Sequence, residues 1–373
     1  MTHKFKIAIV GDGISGLSTA RSLKLRSPQS EITLIRNPKK HPRASDAAQG
    51  VVCNKGLLFP RMPLFEAKLK SLAWVKKWLK DIESLSGKTI PKDFSAVCEP
   101  YFDLEQFQKL VKRVYKGNFW GCFQTEHYRG SFASWTLPME GYLKYPSEGW
   151  FHCPSALEAI RFLLSNEGCR FIDESVDRIS LRGADLDLWM NGEPHAFDRV
   201  ILAAGFDTLA LCDRSNISFP FLKDVCGHTL SCRSKRDLGQ SIVVSGTKSL
   251  IVRNHEFFVG SSSRRGQNLS SKELVESIGE LEDYGRTLIQ DFDMVRSGTS
   301  PIWGVRSCTK DRMPYFGSIP EEGWAGKLFS IGGMYKNGLQ LGPYLGEALA
   351  ALVTAQDIPK LAENFRLERF YPD

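Results

Sequence analysis

What the sequence lacks narrows it first. None of its nine cysteines is spaced as C-x-x-C, so zinc and redox-dithiol chemistry have no local support. Their number is odd and their spacing irregular, so no disulfide framework is expected; most read as small buried hydrophobes. No apolar run approaches the roughly 20 residues that cross a bilayer. The longest early one, Ile7-Ala8-Ile9-Val10, soon meets glycine, which also argues against a secretory leader. A cytoplasmic protein that touches no membrane is expected. Internal repeats and low-complexity linkers are missing too, so any domains should be interleaved rather than consecutive. With 373 residues the chain can form two domains, or one core with a large insertion. The 49 Lys and Arg against 42 Asp and Glu leave a net charge of +7, which suits either a polyanionic partner or simple solubility.

What is present begins at the amino terminus. Lys6-Ile7-Ala8-Ile9-Val10 is a continuous β-branched run, the pattern of a buried parallel strand. Gly11-Asp12-Gly13-Ile14-Ser15-Gly16 follows, a G-x-G-x-x-G. A helix over 15–25 and a second strand over 31–35 complete the βαβ context that lifts this motif above chance. Gly11 permits the tight turn, Gly13 lets backbone approach a pyrophosphate, and Gly16 lets helix and strand pack closely. The helix amino terminus, including Ile14 and Ser15, offers free amides and positive dipole to phosphate. The second strand ends in Arg36 and Asn37 where an acid would hold the adenosine ribose, and an arginine there also suits the 2′-phosphate of NADP. The motif alone leaves the dinucleotide open, and Asn37 or a backbone group would have to replace the ribose contact.

Further along, apolar spacing predicts helices over 64–85 and 104–115, each with lysines on its outer faces, Lys68, Lys70, Lys76, Lys77 and Lys80 on the first. Strands follow over 171–190, with Asn191-Gly192 as a hairpin turn. A returning strand ends in Ala203-Ala204-Gly205, small residues that let the chain pass close to a ligand. Residues 219–296 read as a strand-rich layer with one helix over 271–291. A strand ending in Gly332-Gly333 and an apolar helix over 339–353 restore α/β character. The fold class is α/β.

Several segments together resemble the FAD-dependent D-amino acid oxidase superfamily, glycine oxidases in particular, and within it the oxidase half of the bacterial bifunctional enzyme that matures 5-carboxymethylaminomethyl-uridine in the tRNA wobble position. The resemblance rests on the glycine turn, on Ala44-Ser45-Asp46-Ala47-Ala48-Gln49-Gly50 with Leu57-Leu58-Phe59-Pro60, and on Tyr145-Pro146-Ser147-Glu148-Gly149-Trp150-Phe151 with Cys153-Pro154. It extends through Val225-Cys226-Gly227-His228 to the segment from Gly304-Val305-Arg306 to Tyr315-Phe316-Gly317, then Met334-Tyr335-Lys336-Asn337-Gly338-Leu339. It implies non-covalent FAD rather than NADP, and a Rossmann-like FAD-binding fold over 1–65, 145–215 and 300–373. An interleaved α+β substrate domain with an antiparallel sheet would cover 66–144 and 216–299.

The same resemblance assigns roles. Arg306 would hold a substrate carboxylate, as a guanidinium fork suits two carboxylate oxygens; a structural salt bridge is the alternative. Lys336 would help hold an acidic substrate or be a surface lysine, and Tyr335 would wall the pocket. Gly338, Leu339 and Gln340 would open a helix, after Asn337 and Gly333, whose amino terminus faces the flavin pyrimidine ring. Gln49 and Gly50 would approach the ring from the other side, with Ala44 and Ser45 near phosphate or ribitol and Val176, Ala204 and Gly205 along the cofactor. The flavin carries the chemistry, so no general base and no metal is expected. His228 and His255 read as structural, and Cys308 as no flavin tether. The substrate would be the carboxymethylamino group on tRNA, or a free amino acid such as glycine, sarcosine or a D-amino acid. A non-catalytic flavin protein is the remaining alternative.

Overall fold

The computed structural model describes residues 4–37, 43–54, 62–116, 125–183, 185–219, 221–266, 269–290, 292 and 301–371. Leu57 to Pro60, singled out above, and Cys122, one of the nine cysteines, lie outside them. Strand β1 (Lys6–Val10) is central in a six-stranded sheet, with β2 (Glu31–Ile35) on one side and Arg199–Leu202 on the other, all parallel. Arg170–Ile172 extends the sheet beyond β2. Leu328–Gly332 extends it on the other side, and Tyr315–Ser318 closes that edge antiparallel. Covered on both faces, β1 has no polar alternation: Ile7, Ala8 and Ile9 are fully buried. Burying each isoleucine contributes roughly 1.5–3 kcal/mol.

Helix α1 (Ile14–Arg26) packs on the carboxyl-terminal helix (Gly338–Val353). Small residues make the crossing close: a Cβ on Gly346 would lie 3.0 Å from the Thr19 backbone nitrogen. The carboxyl-terminal helix is apolar all round because α1, the sheet and the helix Met62–Ser86 enclose it. The turn after β1 places the α1 amino terminus at the carboxyl end of the parallel strands, where open α/β sheets bind ligands.

A second sheet of nine strands carries its own core, around Trp135, Leu250, Val252, Phe257 and Leu281. It runs through Leu222–Arg233, Glu256–Gly260, Lys248–Arg253 and Gln240–Ser245 to Ala96–Tyr101, Gly141–Pro146 and Glu126–Arg129, mostly antiparallel. Two elements lie across the division expected from sequence. The helix Met62–Ser86 packs on the carboxyl-terminal helix and on Cys153–Asn166, because its buried stripe of Leu64, Ala67, Val75, Leu79 and Ile82 joins the dinucleotide core, while Phe65 and Leu69 on its other side meet Leu143 and Tyr145 of the large sheet. The strand Ile302–Thr309 pairs antiparallel with Leu222–Arg233 and so belongs to the large sheet, which takes Arg306 with it.

The lysines of Met62–Ser86 also divide. Lys70, Lys77 and Lys80 are exposed, but Lys68 is buried, 6% exposed. Lys68 does not lie on the solvated face expected for it: Leu64, Lys68, Ser71 and Val75 fall on one stripe, and all are buried. No helix among the described residues is long and apolar enough to cross a membrane.

Candidate active site

A cleft of about 840 Å³ runs between the two sheets, from the glycine turn to Arg306 and Lys336. Of the residues singled out from sequence, Gly11, Gly13, Ile14, Ser15, Arg36, Ala44, Ser45, Gln49, Gly50, Val176, Ala204, Gly205, Arg306, Tyr335, Lys336, Asn337, Gly338, Leu339 and Gln340 all line it. Gly16 and Gly333 do not. A Cβ on Gly16 would collide with the Gly11 carbonyl oxygen and lie 3.3 Å from the Ala203 side chain, so this glycine serves helix–strand packing. Gly333 turns the chain at φ +65°, with its amide donating to Ser307 Oγ at 3.2 Å, while its neighbours Gly332 and Met334 face the cleft.

At the glycine turn the geometry fits a dinucleotide. Gly11 has φ +110°, and a Cβ there would lie 2.6 Å from the Ala203 carbonyl carbon. The α1 cap, Gly13, offers no side chain; the Ile14 amide donates to Ser45 Oγ at 3.1 Å, while the Ser15 amide has no acceptor among the described residues and borders the cleft. Ser45 therefore completes the helix end, a task the sequence did not show. At the cleft's other wall, the amides of Gly338 and Leu339 open the carboxyl-terminal helix, also without an acceptor among the described residues. Two helix amino termini with unclaimed amides are what the phosphates and the ring of a flavin dinucleotide require.

Asp12 was given no role from sequence, and it organises this end. Its carboxylate is almost fully buried and sits among Arg36, Arg43 and Arg161; Arg43 Nη1 donates to it at 2.5 Å, and Arg36 lies at 3.7 Å. Arg43 also grips Asp46 through Nε at 2.6 Å, and Arg36 is bidentate to Asp173, at 2.7 and 3.2 Å. Arg36 thus spends its charge on protein carboxylates, which removes the reason to assign it a 2′-phosphate. Glu174 lines the cleft beside Val176 and supplies a carboxylate at the sheet end where β2 has none.

The middle of the cleft is tied to the large sheet. Gln49 accepts from Ser249 Oγ at 2.6 Å and donates to the Phe258 carbonyl at 3.1 Å. Gly50, at φ +100°, passes where a Cβ would strike the Phe151 carbonyl oxygen. Gln340 uses its side-chain amide on Asn54 Oδ1 and the Lys68 carbonyl, both at 2.7 Å, so it braces the wall. Lys68 lines the cleft beside it, its pKa lowered by burial and partly restored by Cys53 and Glu148.

Arg306 stands at the far end. Its guanidinium lies flat over Gly227 on the neighbouring strand, so close that a Cβ there would occupy its place. Nη1 donates to the Ser262 carbonyl at 3.2 Å, and burial pulls its pKa below the usual arginine range. Among the described residues it has no carboxylate partner, which sets aside the structural salt bridge. Tyr335, beside it, holds φ +49°, an uncommon conformation for a bulky residue, with its amide donating to the Ser307 carbonyl at 2.9 Å. Lys336 Nζ donates to the Thr247 carbonyl at 3.3 Å. Lys336 is exposed at the rim of the cleft, where partial desolvation, then Arg306, then Lys248 push its pKa down to about 8. His228 pairs with Ser262 Oγ at 3.0 Å, with its strand neighbours Gly227 and Thr229 facing the cleft; His255 is exposed at a hairpin turn. Cys308 is buried and lies off the cleft, and burial raises its pKa.

Comparisons with known proteins agree with this geometry. Residues 6–352 match the family model described as FAD dependent oxidoreductase. Glycine oxidase of Geobacillus kaustophilus is 24% identical, over 99% of this chain and 98% of that one. Its crystal structure superposes with a TM-score of 0.83 over 99% of each chain, at 22% identity. Iminodiacetate oxidase of Chelativorans reaches a TM-score of 0.84 at 14% identity, over 97% of this chain and 98% of that one. With its glycine turn, its unclaimed helix amides and a family match over nearly its whole length, the chain belongs to the FAD-dependent oxidoreductases of the D-amino acid oxidase type.

Proposed function

We propose that this enzyme oxidises the carbon–nitrogen bond of a carboxylate-bearing amine, and that the amine is the carboxymethylaminomethyl group of wobble uridine in tRNA. One observation carries the carboxylate: Arg306 is a largely buried guanidinium, aimed into the cleft, with no protein carboxylate to neutralise it among the described residues. An uncompensated buried charge is costly, and a ligand carboxylate in fork geometry offsets that cost. Gly227 fixes the plane of the fork, and the Ser262 carbonyl fixes its rotation. Tyr335 walls the bound acid.

FAD would lie with its pyrophosphate at Gly11, Gly13 and Ser15 and its ring near Gln49, Gly50 and the amides of Gly338 and Leu339. When bound, it supplies the chemistry by accepting hydride from the substrate α-carbon. The chain's share is to hold the carboxylate, orient the α-carbon and exclude water. Support for a tRNA carrier is electrostatic: the net charge is +7, and Lys70, Lys77 and Lys80 stand exposed on one helix.

A second reading, a free amino acid such as glycine, sarcosine or D-alanine, is favoured by the end-to-end likeness to glycine oxidase. Anaerobic bleaching of the bound flavin separates the two. Bleaching by tRNA bearing carboxymethylaminomethyl-uridine, with free amino acids inert, supports the first. Bleaching by a free amino acid, with the tRNA inert, refutes it in favour of the second.

A further inference from the structure

The Arg306 end of the cleft holds more positive charge than one carboxylate uses. Lys336, exposed at its rim, and the half-buried Lys248 both line it. Neither lysine has a carboxylate partner among the described residues, and Arg306 has none either. The bond from Lys336 to the Thr247 carbonyl holds that side chain against the turn between Gln240–Ser245 and Lys248–Arg253, so its ammonium lies beside Lys248. Arg306 and Lys248 both act on Lys336 strongly enough to depress its pKa further than burial alone does. Three like charges facing one cavity repel one another, and one bound carboxylate still leaves the two lysines answered by solvent alone.

The arrangement is also ordered. Arg306 sits on a strand with its fork fixed by Gly227, as suits a group of set orientation. The lysines come from a loop and a hairpin turn on flexible stems, as suits an acidic group whose position varies.

We propose that this cleft takes a substrate with two acidic groups: the α-carboxylate on Arg306, and a second carboxylate or phosphate between Lys336 and Lys248. The proposal rests on the carboxylate-bearing amine reading above and narrows its substrate class. It disfavours glycine, sarcosine and D-alanine, whose far ends are neutral. It admits an N-carboxymethyl diacid, or a nucleotide whose own phosphate is the second anion.

The test uses ligands without an oxidisable amine, read by perturbation of the flavin spectrum in the holoenzyme. Thiodiacetate carries two carboxylates; its half-amide has nearly the same shape and only one. Thiodiacetate is expected to bind roughly tenfold more tightly, the scale of one partly screened charge pair. That ratio should collapse in Lys248→Met and return in Lys248→Arg, which also shows that the turn still folds. Equal binding of the two ligands in the unaltered enzyme, or a ratio unchanged in Lys248→Met, overturns the second subsite. Half-amide binding lost in Arg306→Met in those same cases leaves the carboxylate reading standing. Thiodiacetate binding that survives Arg306→Met sinks the carboxylate reading itself. Given the diacid preference, 5-carboxymethylaminomethyl-uridine with and without a 3′-phosphate identifies the source: a Lys248-dependent gain from the phosphate assigns a nucleotide, and no gain assigns a free diacid.

Discussion

The two ends of the cleft each gather three cations and treat them oppositely. At the glycine turn, Arg36, Arg43 and Arg161 surround the buried Asp12, and Asp46 and Asp173 take what remains. At the far end Arg306, Lys336 and Lys248 have no carboxylate among the described residues. Charge answered by the protein builds the site, whereas charge left unanswered waits for a ligand. On the proposal above, ligand contacts at the answered end would come from backbone amides, and at the unanswered end from side chains.

Substitutions sharpen the contrast. Asp12→Asn should do the largest damage to folding, about 3–5 kcal/mol, because it removes the buried carboxylate that three guanidinium groups share and leaves Arg161 without its ion-pair partner; urea unfolding of the apoprotein measures it. Arg306→Met should leave folding nearly intact and cost about 10²–10³-fold in kcat/KM, the loss of a buried charge-assisted fork. If Arg306→Met unfolds the protein and Asp12→Asn does not, the contrast is wrong.

Gly227→Ala should displace the Arg306 guanidinium while keeping its charge, and weaken carboxylate binding by roughly tenfold to a hundredfold; flavin perturbation by the half-amide reports it. The pH effect is gentler. Lys336, lowered to about 8, is cationic below that pH and neutral above it. Diacid affinity should therefore fall as pH rises through about 8, and binding near that pH should take up protons, since an anion favours the ammonium. The groups facing Lys336 are Arg306, Lys248 and Tyr335, and Lys336→Met should flatten the profile. The smallest effect belongs to Arg36→Ala. Its partner Asp173 is more than half exposed, so the loss should stay under about 1 kcal/mol in a thermal melt.

The glycine turn was legible because everything it needs lies in one short segment: a strand, a turn and a helix start. The place of Arg306 in the cleft was legible through resemblance, since no local pattern marks a strand arginine as facing a cavity. Asp12 was not, although it sits inside the motif: its three arginines arrive from just beyond β2, from the loop before α1's partner Ser45, and from a distant helix. Lys68 is legible only in part, for the stripe through Leu64, Ser71 and Val75 includes it, while a lysine's charge by itself points to water. The subsite at Lys248 depends on a hairpin turn of the large sheet meeting the loop at Lys336, which no one-dimensional spacing encodes.

Gly227 and Arg306 lie on adjacent strands, and one occupies the volume the other leaves empty. They therefore act as a two-part unit in heredity and in design. A lineage that gained a side chain at 227 would have to give up the arginine's placement, and an engineer transplanting the arginine alone would obtain its charge without its aim.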